Sequence, residues 1–146
     1  MRLFGRPAPL PEPPVPEADR VPVGVVGVGQ MGRHHARILS TLPPARLVGI
    51  ADPDLPRASA LADQHGTRAF TSAAQFPADT RAVVIAAPTP LHHTLAREFL
   101  ERGWHCFVEK PLTERVEDAE EIIALARSKN LVLQVGHIER FNPAVM

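Results

Sequence analysis

Three things are scarce in this chain, and each absence removes a class of function. There is no surplus of charge: Lys and Arg number 16, Asp and Glu number 16, and the formal net charge is zero. Binding to nucleic acid or to an anionic membrane starts from a basic excess, so partners of both kinds are disfavoured. No apolar run approaches the roughly 18 residues that a bilayer-spanning helix needs, and the N-terminus lacks the apolar core of a secretory signal. There is no second cysteine to pair with Cys106, so no internal disulfide can form; that fits a reducing compartment, and a cytoplasmic location is expected. Cys106 itself lies in the apolar run Cys106-Phe107-Val108 and reads as a buried, inert thiol rather than a nucleophile.

What is present is enough for one domain with a real core: 146 residues, 45% of them hydrophobic. Residues 1–20 carry Pro7, Pro9, Pro11, Pro13, Pro14 and Pro16, which leave few backbone donors and predict an extended, disordered leader. From Val21 to about Pro143, short apolar runs alternate with helical patterns. Strands are expected from Val21, over about Arg46–Ala51, Thr67–Phe70, Ala82–Ala87 and His105–Val108, and over Leu131–Val135. The run Ala82–Ala87 has no polar alternation, as suits a strand covered on both faces.

Between the strands, Met31, His35, Ile38 and Leu42 predict the apolar face of a helix that Pro43-Pro44 stops. Leu55–His65 predicts a second helix closed by Gly66, and Ser72–Phe76 a helical turn. Leu91, Leu95 and Phe99 mark a third helix, and Val116, Ala119, Ile122, Ile123 and Ala126 a fourth. This rhythm predicts right-handed crossovers and an α/β, Rossmann-type doubly wound parallel sheet of about six strands in the order 3-2-1-4-5-6.

In such sheets ligands bind at the carboxyl ends of the strands, and the unusual polar clusters all fall there. Gly27, Gly29 and Gly32 follow the first strand at G-x-G-x-x-G spacing. Gly27 permits a sharp turn, Gly29 lets backbone come close to a pyrophosphate, and Gly32 lets helix and strand pack closely, with the diphosphate at the helix N-terminus. Asp52 ends the second strand, twenty residues beyond Gly32. A carboxylate there accepts from both ribose hydroxyls of an adenosine and repels a 2′-phosphate, which favours NAD; Arg57 nearby could offset it and admit NADP. The alternative is that Asp52 caps the turn before Pro53. Lys110 stands between Glu109 and Pro111 just past the fifth strand, where an ammonium could hydrogen-bond a substrate hydroxyl and, if its pKa were lowered, help remove the proton as hydride leaves carbon. The alternative is a solvated lysine paired with Glu109. The pairs His34-His35 and His92-His93 do not predict a metal, because adjacent helical residues point apart and no third ligand stands at fixed spacing.

Together, the run from Gly27 to Ala36, Asp52, Ala86-Ala87-Pro88-Thr89 with His92, and Glu109-Lys110-Pro111 resemble the motifs of the Gfo/Idh/MocA oxidoreductases, over about residues 21–143. The resemblance implies NAD(P)-linked oxidation or reduction at a secondary alcohol of a sugar, cyclitol or related pyranoside. It implies that Gly27, Gly29, Gln30, Met31 and Gly32 hold the pyrophosphate and that Asp52 holds the adenosine ribose. Pro88, Thr89 and His92 would border the nicotinamide, Glu109 would reach its ribose, and Lys110, the catalytic residue, would touch both cofactor and substrate. Ala87 stands where the family often has Thr or Ser, which removes one hydroxyl contact.

The segment Val135–Pro143 is similar to the subset acting on nucleotide-linked amino sugars, UDP-N-acetylglucosamine 3-dehydrogenases among them, and implies oxidation at the sugar C3 hydroxyl. His137 and Arg140 are then substrate-side candidates; Arg140 either faces a substrate phosphate or is an exposed arginine at a domain junction. Family members continue into a second α/β domain that completes the substrate pocket and usually the homo-oligomer interface. Residues 144–146 fall where that domain would start, so the expectation is a chain that binds NAD, turns over no sugar alone and exposes apolar surface. A competing class is a non-catalytic NAD(H) sensor or interaction module.

Overall fold

A computed structural model describes residues 15–145. Most of the expected leader, residues 1–14, lies outside them; its last part is not extended throughout, since Glu17–Asp19 form a 3-10 turn. Six strands follow: β1 (Val21–Val26), β2 (Ala45–Ala51), β3 (Ala69–Phe70), β4 (Ala82–Ile85), β5 (His105–Val108) and β6 (Leu133–Val135). All pair in parallel, in the order β3-β2-β1-β4-β5-β6, which is the expected doubly wound sheet. The crossovers are α1 (Gln30–Thr41), α2 (Leu55–Gln64), α3 (His92–Glu101) and α4 (Val116–Ser128), with a 3-10 turn at Ala73–Gln75 between β3 and β4.

Period-two alternation in the buried strands sorts their side chains into two cores. Val23, Val25, Ile50 and Val84 pack with Ala36, Ala58, Leu61 and Ala62 of α1 and α2. Val83, Ile85, Cys106 and Val108 pack with Ala96, Phe99, Leu100, Ile122 and Ala126 of α3 and α4. Burial of a side chain such as Phe99 or Ile122, at 1% and 0% exposure, contributes about 1.5–3 kcal/mol. Cys106 belongs to this second core, and burial pushes its thiol from an ordinary 9.0 up to about 12, so it stays protonated and inert as expected. Phe76 packs against β1, where any Cβ on Gly24 would come within 2.2 Å of its ring.

The helix faces differ from the periodicity reading. On α1 the buried residues are Gly32 and Ala36, while Ile38 and Leu42 are exposed. On α3 they are His92, Ala96, Phe99 and Leu100, and Leu91 is exposed; on α4 Val116 is exposed. On α1 only small residues, Gly32 and Ala36, are fully buried, whereas α3 and α4 also bury Phe99, Leu100 and Ile122, of which Phe99 and Ile122 lie on the expected stripes. Strand β4 also stops two residues earlier than predicted, and β3 and β6 are shorter. Ala86 still donates its N–H to Val26 O at 2.8 Å, and Ala86 and Ala87 line the cleft described next.

Candidate functional site

A cleft of about 780 Å³ opens over the carboxyl ends of β1, β2 and β4, where the strand order reverses. Its floor is the glycine turn. Gly27 sits at φ +95°, donates its N–H to Ala51 O at 2.9 Å, and passes so close to β4 that a Cβ would meet Ala86 O at 2.6 Å. Gly32 packs under it: a Cβ there would lie 1.9 Å from Gly27 O. Gly29, the residue before α1, has nothing within 4 Å of its would-be Cβ. That opening, with the unpartnered N–H groups of the first helical turn behind it, fits an anion brought against backbone.

Asp52 plays the turn-building role and still faces the cleft. Its Oδ2 accepts from Val28 N and its Oδ1 from Asp54 N, both at 2.9 Å, which locks the β2–α2 turn onto the glycine turn. Each carboxylate oxygen keeps a further acceptor site. Pro53 and Arg57 continue the same wall.

The opposite wall comes from the ends of β4 and β5. Pro88 and Thr89 line it, and His92 lies behind them at 1% exposure. Its Nε2 is 2.8 Å from Ala87 O and its Nδ1 is 2.8 Å from Pro111 O, so the ring ties the two strand ends together. Glu109 is 6% exposed and forms no ion pair with Lys110's ammonium: its Oε1 accepts from His35 Nε2 at 2.6 Å, and its Oε2 accepts from Lys110 N at 3.2 Å. The alternative pairing of Glu109 with the Lys110 ammonium is therefore not formed. Lys110 borders the cleft, is exposed, and makes no ion pair among the described residues.

The predicted site residues thus gather at one place with three exceptions. Gly32 shapes the turn without lining the cleft, and His137 and Arg140 are exposed beside and within the 3-10 turn Ile138–Phe141, off its wall. Sequence reasoning missed Thr71, Ser72 and Ala73, which follow β3 at the same sheet edge, and Leu95, Glu98 and Phe99, of which Leu95 and Phe99 read as core stripe. It also missed His35 as the partner of Glu109, because a contact between residues 74 apart leaves no spacing signature.

A family profile described as an oxidoreductase family with an NAD-binding Rossmann fold matches residues 21–137. The chain belongs to the Gfo/Idh/MocA oxidoreductases. It is 38% identical over 122 residues to UDP-N-acetylglucosamine 3-dehydrogenase of Acidithiobacillus ferrooxidans, covering 84% of this chain and 38% of that one. The solved structure of that protein superposes with a TM-score of 0.81 at 37% identity, over 86% of this chain and 41% of the other. Inositol 2-dehydrogenase of Rubrobacter xylanophilus is 37% identical over 131 residues, 87% of this chain and 38% of the relative. Scyllo-inositol dehydrogenase of Lactobacillus casei, solved with NAD(H) and scyllo-inositol, matches with a TM-score of 0.78 at 27% identity, over 86% and 38% of the two chains. The chain thus spans about 38% of the length of the curated relatives it matches, in each case with its Gfo/Idh/MocA Rossmann domain.

Proposed function

We propose that this Rossmann domain holds the nicotinamide dinucleotide of a dehydrogenase that moves hydride to or from a secondary hydroxyl of a sugar, cyclitol or nucleotide sugar. The observation that carries the reading is the cleft itself: an open glycine turn, an acid at the next strand end and a lysine on the opposite wall, all on one rim of the sheet. The volume lies within the range of small-molecule and cofactor sites, and Gly29 leaves backbone open to a diphosphate.

Gly27, Gly29, Gln30 and Met31 hold the diphosphate, with Gly32 shaping the turn beneath it; Asp52 receives the adenosine ribose; and Pro88, Thr89 and Glu109 surround the nicotinamide end, buttressed by His92. When bound, the nicotinamide supplies the hydride acceptor or donor. Lys110 would hydrogen-bond the reacting hydroxyl and, as the neutral amine, accept its proton in the oxidative direction to become the ammonium. The 38% identity to a nucleotide-sugar 3-dehydrogenase favours the C3 hydroxyl of UDP-N-acetylglucosamine as substrate. His137 and Arg140 are assigned to the substrate side.

The chain on its own is expected to bind NADH and to turn over no sugar. Titration calorimetry, with Trp104 emission followed in parallel, tests this. Saturable binding below millimolar NADH supports the site, no binding at that concentration removes it, and steady sugar oxidation by this chain would overturn the expectation of no turnover.

A further inference from the structure

We propose that His35 is a positioning residue for Lys110, acting through the Glu109 carboxylate. Glu109 is an acid at 6% exposure, and a buried carboxylate is retained only where donors meet it. Two do: the His35 Nε2–H at 2.6 Å on Oε1 and the Lys110 N–H at 3.2 Å on Oε2. On its third side lies the bare Cα of Gly136, where a Cβ would come within 3.1 Å of both carboxylate oxygens. His35 is braced in turn by the edge of Phe107, with ring centroids 5.1 Å apart and planes at 64°.

The clamp joins α1, which starts at the glycine turn, to the end of β5, from which Lys110 departs. A carboxylate fixed from both ends fixes the Lys110 N–H, and with it the direction in which an exposed, otherwise unpaired side chain leaves the backbone. Glu109 therefore acts on the nicotinamide end through Lys110 rather than as a ribose ligand. The inference rests on the proposed dinucleotide site, and it gives a role to His35 and Gly136, neither of which lines the cleft.

The effect should fall on one half of the cofactor. Calorimetry of this chain with NADH and with ADP, which lacks the nicotinamide half, separates the two. His35→Leu leaves the buried carboxylate short of a donor and is expected to weaken NADH about tenfold while ADP stays within about twofold. Gly136→Ala, which pushes the carboxylate from its place, is expected to do the same and carries the comparison should His35→Leu not fold. His35→Gln keeps an N–H at the Nε2 position and is expected to restore most of the affinity. Hydrogen exchange at the Lys110 amide, measured without cofactor, is expected to quicken about tenfold in His35→Leu and to recover in His35→Gln. Equal losses for NADH and ADP, no loss of either, or unchanged exchange at Lys110 would overturn the clamp. Failure of the unaltered chain to bind NADH or ADP would instead sink the dinucleotide site, with the exchange result still deciding whether the clamp exists.

Discussion

Gly29 and Gly32 are three residues apart and serve one turn, yet a methyl group added to each meets opposite surroundings. At Gly32 it would lie 1.9 Å from Gly27 O, a main-chain atom that cannot step aside without moving β1 or α1. Gly32→Ala is therefore expected to cost about 3 kcal/mol or more of stability, the size associated with overpacking at a backbone contact. At Gly29 it would meet no atom of the described residues within 4 Å, and the backbone there (φ −64°, ψ −172°) is open to any residue. Gly29→Ala should leave the unfolding free energy within about 0.5 kcal/mol of the parent, as surface changes do. NADH affinity should still fall about tenfold, since the second glycine of the fingerprint is where backbone and diphosphate approach. Urea denaturation and NADH calorimetry on the two variants check the contrast; a Gly29→Ala chain that binds as well as the parent would show that no diphosphate comes close there.

Between elements, His92 does what no hydrophobic contact could, linking the carbonyl of Ala87 past β4 to that of Pro111 past β5 from a fully buried position. His92→Leu keeps the volume and removes both links, and is expected to destabilise the domain by about 2 kcal/mol, seen as a lower urea midpoint with an unchanged slope. Strands such as Ala82–Ile85 and His105–Val108 were legible in the sequence because a parallel strand covered on both faces must be apolar without interruption. The glycine turn and Asp52 were legible because a dinucleotide imposes fixed spacing on them. The helix faces were legible only in part. Periodicity found Phe99, Ile122 and Ala126, which are buried, but it also chose Ile38, Leu42, Leu91 and Val116, which are exposed, and passed over Gly32, Ala36 and Ala96, which are buried. The His35–Glu109 pair was invisible for another reason: it depends on α1 and β5 being brought side by side by the whole crossover order.

At the scale of the molecule, one sheet divides two cores and presents all its strand ends on one rim, so ligand contact there couples to the stability of the entire domain. A ligand that binds only the folded chain stabilises it by mass action, about 2.7 kcal/mol at a concentration one hundred times its dissociation constant. For a domain of this length that corresponds to a rise of roughly 5–10 °C in unfolding temperature. NADH is expected to produce such a rise in differential scanning calorimetry. NADPH at the same concentration should produce less than half of it, because the Asp52 carboxylate, held in place by Val28 N and Asp54 N, cannot swing away from a 2′-phosphate. Arg57 pairs with the Asp54 carboxylate at 3.8 Å across an exposed contact and makes no ion pair with Asp52 among the described residues. Equal rises with the two cofactors would mean that Arg57 turns to the phosphate and that the acid at the end of β2 sets the shape of the turn without selecting the ligand.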